Sequence, residues 1–113
     1  MRVNSMGKQT YQRVNFLSRV TLSTGGDPPI EARTVTISLG GSVVISPRVV
    51  PLGRRLTIAF HVRGLSGARV IEIVEGRVVN VRADLDGNRL GIEFLEPLGN
   101  ERCPELTRTV EEL

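Results

Sequence analysis

The chain has 113 residues, 40% of them hydrophobic, and a formal net charge of +3. That size suits a single domain with one modest core, and with only Tyr11, Phe16, Phe60 and Phe94 as aromatics and no Trp, the core must come from Val, Ile and Leu. One cysteine, Cys103, and one histidine, His61, exclude an intrachain disulfide and a thiolate or histidine metal site, and no apolar run is long enough to cross a bilayer.

Residues 1–10 are polar and read as a flexible arm, not a secretion signal, ahead of a domain covering 11–113. A cytoplasmic protein without membrane insertion is the expectation. Tyr11 to Leu22 suggests a first strand beginning near Val14 or Phe16. Thr24-Gly25-Gly26-Asp27-Pro28-Pro29 is a loop on composition. Ile30 to Ile37 alternates, with Ala32, Thr34 and Thr36 on one face and Arg33, Val35 and Ile37 on the other. Ser38 to Gly41 is a turn, and Ser42 to Ser46 a short strand stopped by Pro47.

After a turn at Pro51-Leu52-Gly53, Arg55 to Val62 sets Leu56, Ile58, Phe60 and Val62 on one face. Gly64 to Gly67 breaks the run. Ala68 to Val74 places Val70, Glu72 and Val74 opposite Arg69, Ile71 and Ile73, and Gly76 to Val81 is a further β-rich segment. Asp86-Gly87 marks a hairpin loop within Asp84–Asn88. Arg89 to Leu95 groups Leu90, Ile92 and Phe94. Six or seven short strands at regular spacing favour a small antiparallel barrel or sandwich. A barrel also removes exposed strand edges. From about residue 103 the texture is helical: Pro104 opens a helix toward Leu113, with Leu106, Val110 and Leu113 as a stripe that either plugs the barrel end or serves as an interface.

Fourteen of the fifteen basic residues are Arg; Lys8 is the exception. Arginine suits two-pronged recognition of phosphate and carboxylate and stacks on rings. Arg2, Lys8, Arg13 and Arg19 precede the first acidic residue, Asp27, while the tail from Glu101 carries four Glu against two Arg. A basic head of this kind fits a small anionic ligand. The turn Ser38-Leu39-Gly40-Gly41 is the natural place for it. Two glycines leave the backbone open to a ligand, with backbone angles closed to other residues. The Ser38 hydroxyl either donates to phosphate or caps the turn's own backbone. Beyond Arg13, Arg2 and Arg48 are the alternative ligand-side arginines on charge alone; Arg19 and Arg33 read as solvent-facing.

No Ser-His-Asp or Cys-His arrangement is available, so the chain does not read as an enzyme. Basic and aromatic residues do not interleave as an oligonucleotide-binding surface requires, which argues against DNA or RNA.

From Tyr11 to about Leu95 the chain resembles the PilZ domain family, most clearly at Arg13-Val14, Ile37-Ser38-Leu39-Gly40-Gly41, Gly76-Arg77-Val78-Val79 and Arg89-Leu90-Gly91-Ile92-Glu93-Phe94. The resemblance implies a six-stranded barrel and a receptor or adapter for the bacterial second messenger cyclic di-GMP, a regulatory ligand and not a cofactor, with an unidentified protein as its further partner. The family reads its ligand with Arg-x-x-x-Arg and Asp/Asn-x-Ser-x-x-Gly. Arg13, Ser38 and Gly41 match these motifs. Gln9, beside Lys8, stands where the first arginine is usual, and Thr36 where Asp or Asn is usual. Those six residues are the candidate site, with the ligand closing the arm onto the turn. The alternative is a degenerate member that no longer binds nucleotide and acts through protein contacts alone.

Overall fold

The computed structural model describes residues 11–112. The expected arm over residues 1–10, with Arg2, Lys8 and Gln9, lies outside them, as does Leu113. The elements are β1 (Val14–Asn15), β2 (Arg19–Ser23), β3 (Ile30–Ile37), β4 (Gly41–Ser46), β5 (Arg55–Arg63), β6 (Arg69–Asp84), β7 (Gly87–Phe94) and α1 (Pro104–Glu111). Strands β3, β2, β5, β6, β7 and β4 neighbour one another in that order, and β4 returns to β3. The result is a closed six-stranded antiparallel barrel, as the family resemblance implied; the strand spacing alone leaves barrel and sandwich open.

Alternation sets the inner face. Leu56, Ile58 and Phe60 of β5 and Leu90, Ile92 and Phe94 of β7 are all buried. Phe60 and Phe94 meet edge to face at 6.2 Å, the arrangement the ring quadrupole favours. With Val20, Leu22, Val44, Val78 and Leu106 they form one core.

Two bulges correct the simple alternation. In β3 the register slips between Thr34 and Thr36, which pair with Val44 and Val43 respectively. Val35 is the extra residue, so Ile37 turns inward and Thr36 leaves the face of Ala32 and Thr34. In β6 the register slips between Val78 and Asn80. Strict alternation would send Asn80 and Arg82 into the core after Val78; the bulge turns them out. The two predicted β-rich segments there are one strand of 16 residues.

The predicted first strand is also divided. Thr34, fully buried, donates its hydroxyl to the Phe16 carbonyl at 2.6 Å and its N–H to the Ser18 carbonyl at 2.9 Å. The chain steps around this side chain, leaving β1 paired to the end of β3 and β2 to its beginning.

Helix α1 ends at Glu111 instead of reaching Leu113. Leu106 is fully buried and Val110 lies against the core, so these two residues of the stripe pack inward on the barrel. The first-turn donors are fully accounted for. Pro104 has none, the Glu105 and Leu106 N–H groups each donate to the Glu72 carboxylate at 2.9 Å, and Thr107 donates to the Cys103 carbonyl at 2.9 Å. Glu72 is thus an inward-facing acid on β6 that caps a helix distant in sequence.

Cys103 is 3% exposed beside this cap. Burial pushes its thiol above the ordinary value of 9.0, and the Glu72 carboxylate adds to the shift. The folded chain therefore keeps its proton to higher pH than the unfolded chain. The contribution is complete below about pH 9 and is lost as pH rises from there toward the folded value. Urea unfolding should show a lower midpoint at about pH 10 than at about pH 8, and Cys103→Ala should remove that part of the decline.

Candidate functional site

The Ser38–Gly41 turn is built from its own polar groups. The Ser38 N–H donates to the Gly41 carbonyl at 2.8 Å, and the Ser38 hydroxyl accepts the N–H groups of Gly40 and Gly41 at 3.2 and 3.1 Å. Ser38 is buried and caps the turn. Its own hydroxyl proton has only a long contact, 3.4 Å to the Gly41 carbonyl, so a donor remains for a ligand oxygen. The turn is fastened from outside by Phe94 N–H to the Gly40 carbonyl and Leu98 N–H to the Leu39 carbonyl, both at 2.8 Å.

The glycines do not serve the special backbone angles expected of them. Neither Gly40 nor Gly41 is among the glycines with positive φ; closeness is what requires them. A Cβ on Gly41 would lie 2.4 Å from the Ile92 carbonyl oxygen, where β4 meets β7. A Cβ on Gly40 would lie 2.5 Å from the Tyr11 ring. Tyr11 thus lies flush against the turn and brings the start of the described chain to it.

Arg13, Ser38 and Gly41 line one groove of about 990 Å³ with Tyr11, Asn80, Arg82 and Arg89. Arg13 is exposed. Arg82 and Arg89 are direct cross-strand partners on β6 and β7. Arg89 donates to the Asp84 carboxylate at 2.9 Å. That bond, helped by the Asp86 backbone N–H, holds the Asp84 carboxyl below its usual range. Arg82 has no ion pair among the described residues. Gly91, opposite Asn80, keeps the groove open there: a Cβ would stand 3.0 Å from the Asn80 Cβ. The outcome is a concave surface lined by three guanidinium groups, one already engaged, and by the acidic Glu93.

Thr36 does not line this groove. It pairs with Asn15 on one side and Val43 on the other, its carbonyl accepts the Ser42 hydroxyl at 2.7 Å, and its own Oγ1 is buried without a partner. Arg48 is also elsewhere, donating to the Pro28 carbonyl at 3.0 Å. Lys8 and Gln9 lie outside the described residues. Tyr11, Arg82 and Arg89 are the lining residues that sequence reasoning missed. The available signal was the conflict at Val78-Val79-Asn80: reading the alternation onward buries Arg82, which an unpaired arginine does not tolerate.

Among the described residues no helix is long and apolar enough to cross a membrane. The barrel is similar to that of the Bacillus subtilis inhibitor of motility (MotI/DgrA), with a TM-score of 0.74 at 15% identity over 95% of this chain and 52% of that one. This chain therefore spans about half of that protein's solved length. It is also similar to the PilZ domain of Escherichia coli YcgR, a structure with c-di-GMP, at a TM-score of 0.68 and 17% identity over 94% of this chain and 91% of that one. At these identities the likeness is one of fold. No significant match was found among curated proteins. The PilZ domain family itself matches residues 8–112, nearly the whole sequence, and on that match the chain belongs to the PilZ domain family.

Proposed function

We propose that the groove between Arg13 and Arg82 binds cyclic di-GMP, and that the protein is a receptor or adapter in second-messenger signalling. The observation that carries this reading is the convergence of Arg13, the Ser38–Gly41 turn and the Arg82/Arg89 pair on one open surface. The ligand has two phosphodiesters and two guanines. Guanidinium groups suit both, as forks for phosphate oxygens and as flat plates for stacking. The Tyr11 ring, fixed against Gly40, offers a further face. The groove's size is at the upper end of the roughly 300–1,000 Å³ typical of ligand pockets.

The departures from the family motif alter this site without emptying it. Gln9 in place of an arginine removes one cation of the family motif, and Arg82 supplies one to the groove from β6. Thr36 in place of a carboxylate or amide leaves the β3 position without a group to orient Arg13. Binding is accordingly expected to be weaker than a full motif gives.

The second reading is a barrel that has lost the nucleotide and works by protein contacts. It is favoured by the Ser38 hydroxyl's engagement with its own turn. Calorimetric titration with cyclic di-GMP separates the two. Saturable heat is expected, and Arg13→Ala should weaken binding by roughly 1.5–3 kcal/mol, about tenfold to a hundredfold. Absence of heat at about 100 μM ligand, a concentration that reveals dissociation constants in the micromolar range, would overturn the receptor and leave the adapter.

A further inference from the structure

A second cavity, of about 560 Å³, shares no lining residue with the groove. Much of its wall is hydrocarbon from Leu17, Val62 and Ile71, and its cations are Arg19, Arg63 and Arg69. Leu17 is 80% exposed and Ile71 56%. Ile73, two residues along β6 and so on the same outer face as Ile71, is 57% exposed. An apolar patch bordered by one sign of charge marks an interaction surface.

The charges are arranged against the interest of the isolated fold. Arg63 and Arg69 are direct cross-strand partners on β5 and β6, and like charges placed opposite each other destabilise a sheet. Arg33, Arg55, Arg89, Arg102 and Arg108 each reach a carboxylate. Among the described residues Arg19, Arg63 and Arg69 reach none, and no acidic side chain lines the cavity. Arg63 is instead held by donating to the Gly67 carbonyl at 2.8 Å.

We propose that this cavity docks an acidic segment of a partner protein. A bulky apolar side chain of the segment seats against Leu17, Val62 and Ile71, and its carboxylates meet Arg19, Arg63 and Arg69. Charge complementarity selects carboxylates, and the concave hydrocarbon wall selects an apolar anchor. The same wall offers little to a sugar–phosphate chain, and a hollow takes up a projecting side chain better than it lies on a flat lipid surface. The inference is independent of nucleotide binding, because its residues are not those of the groove.

The test is a titration of isotopically labelled protein with a synthetic peptide that alternates Glu or Asp with Leu and Phe, followed by amide chemical shifts. Saturating shifts are expected at Leu17, Arg63, Arg69 and Ile71. Arg63→Glu should weaken binding at least about tenfold, equivalent to about 1.4 kcal/mol, and replacing the peptide's Leu and Phe by Ser should abolish it. Leu17→Ser, at a residue too exposed to serve the core, provides a second variant that should also weaken binding. Absence of shifts at these residues, or shifts indifferent to the Ser peptide, overturns the proposal. So does co-sedimentation with phosphatidylglycerol vesicles that Arg63→Glu abolishes while the peptide fails to bind, which assigns the surface to lipid. Concentration-dependent self-association lost in Ile71→Asp, again without peptide binding, overturns it in favour of a second copy of the chain.

Discussion

Glu72→Ala is expected to lower the stability of the domain by about 2–4 kcal/mol, seen as a fall in the thermal midpoint of roughly 10–20 °C. The reasoning starts from the donors that the substitution leaves behind. Glu105 and Leu106 donate their N–H groups to Glu72 alone, and Leu106 is fully buried. Each unsatisfied N–H costs about 1–3 kcal/mol when water cannot reach it. The favourable field of a carboxylate at a helix N-terminus is lost as well. Against this stands the relief of removing a charge from a buried site, which keeps the total below the sum of its parts. Glu72→Gln should fall between the two, because an amide presents one acceptor oxygen where the carboxylate presents two. Chemical denaturation of the three proteins measures the order. Equal stability of all three would show that the helix start is solvated and that Glu72 is no cap.

Arg82→Ala is expected to weaken cyclic di-GMP binding by about tenfold to a hundredfold, and Arg89→Ala by distinctly less. The two arginines face each other across β6 and β7 and line the same groove. They differ in what they already hold. Arg89 donates to Asp84, so a phosphate must compete with a carboxylate for it. Arg82 has no ion pair among the described residues and meets an anion without first surrendering a partner there. Asp84→Asn should accordingly tighten binding by releasing Arg89, and should raise the cost of Arg89→Ala. Calorimetry on these variants reads the differences directly. If Arg89→Ala proved the costlier change in the parent protein, the Asp84 pair would be orienting Arg89 for the ligand and not occupying it.

The barrel was legible because β5 and β7 keep strict alternation along their length, and the hairpin at Asp86-Gly87 joins β6 to β7. The same alternation placed Glu72 on one face with Val70 and Val74. What it does not contain is the reason that an acid is tolerated there. That reason is the N-terminus of α1, more than thirty residues later. Bulges are the other blind spot. A single extra residue at Val35 or Val79 is settled by the neighbouring strand, through the pairings of Thr36 with Val43 and Asn80 with Gly91. Local pattern therefore mis-aimed Thr36, and pointed to Arg82 only through the conflict that burying it would create. Local chemistry did identify the Ser38–Gly41 turn, because a Ser and a Gly pair between two apolar runs mark a turn. It assigned the glycines to backbone angles as well as to ligand access; the angles are ordinary, and the close approach of Ile92 and Tyr11 is a requirement that only the folded chain reveals.

The central claim is that one surface, floored by the side-chain-poor bend at Ser38–Gly41 and walled by arginines, takes the nucleotide. Amide chemical-shift mapping during a cyclic di-GMP titration tests it most directly. The account predicts saturating changes at Arg13, Ser38 to Gly41, Asn80 to Arg82 and Gly91, with the Leu17 and Ile71 amides unmoved. Changes confined to Leu17, Arg63 and Ile71, or none anywhere at about 100 μM ligand, would contradict it.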